Sequence, residues 1–405
     1  MGSRLSGKRS LTLGLVALLT AYVLVYVHRV AIAVMTPELS KLLAGTGYSV
    51  ELIVSQITAA YFYAYALMQI PGGVLADILG IKRYTSFSIL LLFIGSLLFT
   101  TLNPTLMIAS RALIGAGAAA VFISLQRFIG IFHDKDVGAR ITGITLTAGN
   151  VGAILATAPL RYLVGYAGIA LTFVVLAVPA LLLSLQTYRQ VPDLGISVRL
   201  GFIDSIKAVL KQLREVVSNI HSWSLGIAHI ALYGTTLAFQ AYWGMEYFVK
   251  VGNLDENTAS LYLMIVAVAF AVMTPVVGHV SDKVIHGRRP ILLMAPLLQA
   301  CAWGFLYALL ANAVPPSAVT IALAAAVLGA STANHIVIPP MSREVYGREY
   351  SGTSFAFVNF IGFLGIALLE TLVPIVGGSM HALILIYIVI NLVASVLVRF
   401  TKESM

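Results

Sequence analysis

The sequence predicts an all-α polytopic membrane protein of twelve transmembrane helices, arranged as two six-helix, pseudo-symmetric bundles. Three observations carry this. Hydrophobic residues make up 59% of the chain and charged residues only 10%, whereas soluble domains carry about 25% charged residues. Apolar runs of about 20 residues, the length a bilayer core demands, recur from one end of the chain to the other. A turn rich in glycine and charge, from Gly73 to Asp77, returns from Gly278 to Asp282, 205 residues later in a chain of 405. The chain thus repeats itself near its midpoint.

The elements follow in order. A short basic opening leads into span 1, 11–35, which is longer than the apolar core of a signal peptide and has no convincing cleavage site. Span 2, 52–76, places Tyr61, Tyr65 and Gln69 at helical spacing and runs into the first glycine turn. Span 3, 85–103, stops at Asn103-Pro104, where span 4, 105–131, begins. Span 5, 141–164, and span 6, 168–188, are separated by Gly165 and Gly168. The longest polar stretch, Arg189 to His221, then divides the chain into 1–190 and 221–405, with 191–220 as the linker. Within it, Ser205 to Val217 reads as a basic amphipathic helix expected to lie along the membrane surface. Span 7, 222–248, carries a polar and aromatic stripe of His229, Tyr233, Thr236, Gln240, Trp243 and Tyr247. Span 8, 258–281, ends in the second glycine turn. Spans 9 and 10, 290–311 and 317–341, flank Pro315-Pro316, and spans 11 and 12, 353–376 and 380–400, flank Gly377-Gly378.

Charge then sets orientation. With the N-terminus inside, 20 of the 25 lysines and arginines fall in cytoplasmic segments, and only Lys41 and Lys250 fall outside. This asymmetry predicts both termini in the cytoplasm and a place in the cytoplasmic membrane. It also accounts for the net charge of +9 without a nucleic-acid partner. The single cysteine, Cys301, sits in an apolar run, so an intramolecular disulfide is excluded and metal or thiol chemistry is not expected. No nucleotide-binding loop, zinc ligand set or nucleophile triad is present, and no cofactor is expected.

The first turn reads Gly72-Gly73-Val74-Leu75-Ala76-Asp77-Ile78-Leu79-Gly80-Ile81-Lys82-Arg83. It resembles the G-x-L-x-D-x-x-G-x-[KR]-[KR] signature between the second and third helices of the major facilitator superfamily, with Ile78 where that family usually has Arg. The second copy, with Gly278, Asp282 and Arg288, is weaker. Arg111 opens Arg111-Ala112-Leu113-Ile114-Gly115-Ala116-Gly117, similar to the R-x-x-x-G-x-G motif of that family's fourth helix, and Arg29 stands eight residues before Pro37, as in the first helix of its organic-anion and organophosphate permeases. The resemblance implies alternating access between two rocking halves. It implies that Asp77 meets the start of helix 11 near Ser351 and Gly352, and that Asp282 meets the region of Ile141 and Thr142. It also implies that Gly73, Gly80, Lys82 and Arg83 belong to this cytoplasmic latch, and that helices 1, 4, 7 and 10 line the cavity.

Arg29, Arg111 and Arg161 lie within spans, where an ionisable group is costly and needs a partner, water or a function. Arg29 and Arg111 sit at similar depth, so the two guanidiniums are placed to converge on one anion. Tyr22 and Tyr26 share a helical face with Arg29. With Tyr65, Gln240, Trp243 and Asn334 they complete the expected substrate-binding set. The resemblance also has gaps. Sugar-phosphate permeases carry a second substrate Arg in helix 7, which is missing here, and the acids that proton-coupled relatives place beside the first-helix Arg and in helix 4 are replaced by His28 and Ala118. The expected proton carrier is therefore a histidine, His28, His229 or His335. Glu370, near the outer end of span 11, reads as a charge partner or a group close to water. The expected function is secondary transport of a small organic anion, a carboxylate or organophosphate, with a possible coupling proton, by a monomer in the lipid bilayer. The alternatives are a proton-driven exporter of amphipathic compounds and, from another class, a non-transporting membrane receptor. The latter would not need the latch.

Overall fold

A computed structural model describes residues 2–44, 47, 49–192, 202–346 and 350–403. All its regular elements among these residues are helical. The first half holds α1 (Gly2–Val30), α2 (Thr36–Leu43), α3 (Val50–Leu67), α4 (Gln69–Phe99), α5 (Pro104–Phe132), α6 (Lys135–Leu155) and α7 (Ala158–Gln190). After α8 (Phe202–Val217) come α9 (Ile220–His229), α10 (Thr235–Ala238), α11 (Gly244–Gly252), α12 (Glu256–His279) and α13 (Arg289–Leu310). The chain closes with α14 (Ala318–Thr332), α15 (Ile338–Glu344), α16 (Ser351–Ile375) and α17 (Met380–Leu397).

Ten helices among the described residues are long and apolar enough to cross a membrane. Two of the expected runs fall short of that standard for identifiable reasons. The run 141–164 breaks at Thr157, ahead of Pro159, and its last residues open α7 instead. The run 222–248 stays helical but widens into π turns at Ile230–Gly234 and Phe239–Trp243, which split it into short pieces. The outer faces of α7, α13, α14 and α17 expose Leu182, Leu298, Leu323 and Val393. Lipid covers such apolar faces where water would not.

Two glycines explain the sharpest turns. Gly80 (φ 75°) and Gly168 (φ 71°) lie inside α4 and α7, each at a point where the chain reverses into a new helical axis. In the second glycine turn the left-handed position falls on His286 (φ 51°), not on a glycine. This is why the second copy is degenerate as a sequence. The fourth-helix glycines serve packing instead. A Cβ on Gly115 would stand 2.2 Å from the Tyr61 carbonyl oxygen of α3, and one on Gly117 would stand 2.3 Å from that of Ser88 in α4. At Gly73 and Gly278, by contrast, nothing lies within 4 Å of an added Cβ.

Helices of the two chain halves meet along α3 and α16, and where α12 touches α6 and α7. Ser55 donates to the Glu370 carbonyl (2.8 Å), Tyr63 and Thr371 share a hydrogen bond (3.1 Å), and Asn359 donates to Gln69 (3.0 Å). The linker helix α8 was expected on the membrane surface. It packs instead on α16: Val216 is buried against Phe357 and Ile361, Thr353 donates to Gln212 (2.6 Å), and Tyr350 donates to Glu215 (3.1 Å).

Candidate functional site

The centre of the molecule is built on Arg29, in the last turn of α1. Its guanidinium carbon lies 4.2 Å from the ring centre of Tyr26, 5.0 Å from Tyr65 and 5.1 Å from Phe363. Nη1 donates to the Tyr233 hydroxyl (3.2 Å), a residue of the first π turn and 204 positions away. Arg29 is only 2% exposed, yet Nε and Nη2 have no hydrogen-bond partner. A permanent cation, which no change of pH neutralises, therefore stands in an aromatic cage with two donor groups unused. Electron-rich ring faces offset part of the cost of burying it. They do not supply the acceptors that the guanidinium fork is shaped for.

The cage wall continues through the second half. His335 stacks on Tyr233 (ring centres 4.6 Å apart) and lies 5.9 Å from His229, whose ring fills the space over Gly362. His335 Nδ1 contacts the Thr332 carbonyl (3.2 Å), and the His229 Nε2 is buried without a partner. The 3₁₀ segment Ala333–Val337 sets His335 and Asn334 at this level. Asn334 is tied to the Ser331 carbonyl (2.8 Å). A polar network joins α10, α13 and α14 behind it: Gln299 donates to Thr236 (2.8 Å) and accepts from Ser331 (2.6 Å), and Thr236 bonds Thr332 (2.8 Å).

Arg111 lies beside the cage without completing it. Nη1 donates to the His28 carbonyl (2.7 Å), and its carbon sits 4.6 Å over Tyr61. The Tyr61 ring stacks on that of Tyr65, at 6.0 Å, so the two arginines lie against neighbouring rings of one tyrosine pair. Arg111 Nε and Nη2 are also unpartnered.

Two other expected residues point elsewhere. The His28 ring turns away to Ser96 (3.3 Å) and Phe173. Trp243 belongs to a separate aromatic cluster, donating to Tyr387 (3.3 Å) and packing near Trp303. Gln240 is half-buried. Sequence reading passed over Phe363, which shows no polar signal, and undervalued Glu370. Glu370, read as a charge partner or a group close to water, is fully buried, with neither carboxylate oxygen hydrogen-bonded.

The two ends of the molecule differ. A cavity of about 610 Å³ lies at the basic end, lined among others by Gln69, Gly73, Arg127, Gln212, Arg343 and Gly352. Phe122, which also lines it, stacks on Tyr22 (5.4 Å), and the Tyr22 hydroxyl donates to that of Tyr26 (3.3 Å), so the cavity connects to the cage through aromatic rings. At the opposite end Arg161 joins Glu38 (2.6 Å), the Val34 carbonyl (3.0 Å) and Glu256 of α12, which fastens the first half to the second. Tyr242 adds a hydrogen bond to the Glu51 carbonyl (3.0 Å).

Of the glycine-turn charges, Lys82 lies 4.9 Å over the Tyr188 ring. Asp282 sits 3.7 Å from Arg288, which also pairs with Glu344. The Asp77 side chain lies outside the described residues.

Comparison with known proteins agrees with this architecture. A probable sulfoacetate transporter of Cupriavidus necator is 23% identical over 287 residues, a match that spans 68% of this chain and 65% of that protein's length. A D-xylose–proton symporter superposes with a TM-score of 0.79 at 16% identity, covering 96% of this chain and 98% of its own. The E. coli xylose transporter in a partially occluded inward-open conformation gives 0.78 at 14% identity, covering 98% and 99%. The profile of the Major Facilitator Superfamily matches residues 15–369 and 252–404. The chain belongs to that superfamily and is a multi-pass membrane protein.

Proposed function

We propose that the protein is a secondary transporter that moves a small organic anion by alternating access. The observation that carries this is the Arg29 cage: a buried, permanent cation with no carboxylate partner and two unused donor groups. A carboxylate, sulfonate or phosphate supplies the missing charge and accepts those donors in parallel. The Cupriavidus relative supports this chemistry by its name, since sulfoacetate carries a sulfonate and a carboxylate.

In this reading residues 1–190 and 221–405 are two six-helix bundles joined by 191–220, with twelve spans once 141–164 and 222–248 are counted. The π turns of span 7 leave it continuous and long enough to cross. The basic end faces the cytoplasm, together with both termini, because cations are retained on that side of the cytoplasmic membrane. The Arg161 lock then closes the outside and the 610 Å³ cavity opens inward. Arg29 holds the anion. Tyr26, Tyr65, Tyr233 and Phe363 form the wall, Tyr22 and Phe122 separate it from the cavity, and Asn334 and Gln240 lie behind. Arg111 braces α1 through the His28 carbonyl. Asp77 belongs to a latch that holds the inner side shut in the other state.

A thermal-shift screen of the purified protein tests the substrate class. Sulfoacetate, simple carboxylates and organophosphates are run beside quaternary amines and sugars. An anion present at 100 times its dissociation constant stabilises the protein by about 2.7 kcal/mol, a clear rise in melting temperature. Stabilisation by amines or sugars alone overturns the anion reading.

A further inference from the structure

The helix pairing of α3 with α16 encloses a carboxyl that the site above does not use. Glu370 is 0% exposed, and both its oxygens lack a hydrogen-bond partner. Only its backbone is engaged, by Ser55. Charge of either sign in a dry interior is expensive unless paired and hydrogen-bonded, whereas a neutral carboxylic acid is far cheaper to bury. Arg111 is within electrostatic reach, as are the hydroxyls of Tyr242 and Tyr387. No ion pair within 4.0 Å joins Arg111 to Glu370, and Arg111 Nε and Nη2 point at nothing that accepts them. A buried acid and a buried base thus stand apart, each incompletely satisfied, on helices of opposite halves.

The surroundings of α16 leave few other groups to consider. Tyr63 and Tyr65 face it from α3, Tyr63 bonded to Thr371 and Tyr65 packed on Phe363. His229 and Tyr233 pack farther along, at Gly362 and Phe363. Arg343 of α15 and Glu215 of α8 belong to its basic end, against Phe355 and Tyr350. Gln69 of α4 meets Asn359. Toward the opposite end, a pocket of about 400 Å³ is lined by Val54, adjacent to Ser55, by Val373, about one turn from Glu370, and by Glu51, Glu246 and Glu256. Glu256 is paired with Arg161, so Glu51 and Glu246 remain as an acidic lining that favours cations, protons included.

We propose that Glu370 is the proton-binding site that couples transport to a proton gradient. When the opposite end opens, α16 parts from α3 and the carboxylate meets water through the acidic pocket. A proton from that water forms the O–H bond, and the neutral acid is then buried as the halves close. Once the basic end opens, the O–H bond breaks and the proton leaves to water entering from the basic-end cavity, and the carboxylate left unpaired between the halves favours reopening of the opposite end. One proton crosses per cycle, and no other bond changes. This rests on the alternating-access reading above, but not on Arg29 or on the identity of the solute.

The sign of the effect follows. The neutral acid favours closure of the opposite end, and the carboxylate favours opening. Spin labels at Lys41 and Asn257, one on each half at the opposite end, report that closure by pulsed distance measurement on the full chain in liposomes, with no solute added. From about pH 5 to about pH 9, a range in which buried carboxyls titrate, the wild type shifts from predominantly short to predominantly long distances. Glu370→Gln, a permanent mimic of the neutral acid, stays short throughout. Glu370→Asp keeps a pH response. A wild-type distance that ignores pH overturns the proposal, as does a Glu370→Gln protein that follows the wild-type pH response. Where Glu370→Gln does not reach the membrane, the wild type and Glu370→Asp decide, and a flat response in both overturns it. Failure here leaves the Arg29 site standing, and failure of the thermal-shift screen leaves this proton site standing.

Discussion

Arg29 shows how far single residues can be read. Its eight-residue step to Pro37 and its place inside an apolar run single it out as a candidate, and the aromatic neighbours on its own helix follow from helical spacing. Tyr26 indeed lies against the guanidinium. Tyr233 and Phe363 were not legible as partners. They come from helices 204 and 334 positions away in sequence, and a phenylalanine in a membrane span carries no signal of its own. Trp243 lies apart from the cage for a related reason: helical spacing puts it on the stripe of Tyr233, but the two residues belong to separate π turns and Trp243 faces Tyr387. The cage itself makes a graded prediction. Losing a charge-assisted contact costs about 1.5–3 kcal/mol, or roughly a ten- to hundredfold drop in affinity. Arg29→Lys keeps the charge but not the fork, so it binds a stabilising anion more weakly than wild type and more tightly than Arg29→Ala. Melting temperature without ligand and affinity by titration are read together. Normal affinity in a folded Arg29→Ala protein removes Arg29 from the site.

At the scale of elements, the glycine turns and the lock behave differently. Gly80 was readable because a positive φ has few other occupants, and the structure puts the reversal there. Its counterpart had drifted to His286, which no glycine pattern reveals. The α8 helix was readable as amphipathic, but its destination was not: Val216 meets a protein groove of Phe357 and Ile361, and amphipathicity does not distinguish that from lipid. Arg161 stood out as an in-span cation, yet its partners Glu38 and Glu256 are in segments on either side of a span, and their convergence is tertiary. Arg161 is 6% exposed against 21% and 36% for the two acids, so screening weakens the second pair more than the first. Arg161→Gln is expected to lose about 1.5–3 kcal/mol from closure of the opposite end. Distances between labels at Lys41 and Asn257 should lengthen, while Asp77→Asn, which weakens the latch at the other end, should favour the short distance. Unchanged distances in Arg161→Gln would show that the ion pairs merely decorate a closure made by α3 and α16.

For the molecule as a whole, composition and periodicity were enough for the all-helical membrane fold, because a bilayer demands long apolar helices and the chain supplies them repeatedly. Span 5 carries a break at Thr157, ahead of Pro159, which its continuous apolar run does not show. The ion pairs at the opposite end and the cavity at the basic end arise from tertiary contacts and leave no trace in sequence. What joins the scales is the claim that this fold carries an anion past Arg29. Counterflow in proteoliposomes tests that most directly. Vesicles preloaded with unlabelled sulfoacetate are diluted into labelled sulfoacetate, with labelled xylose in parallel as a neutral solute, for the wild type and for folded Arg29→Ala. Transient accumulation of the anion by the wild type, little by Arg29→Ala and none of xylose is the predicted result. Accumulation of xylose but not of the anion, or equal anion accumulation with and without Arg29, would contradict it.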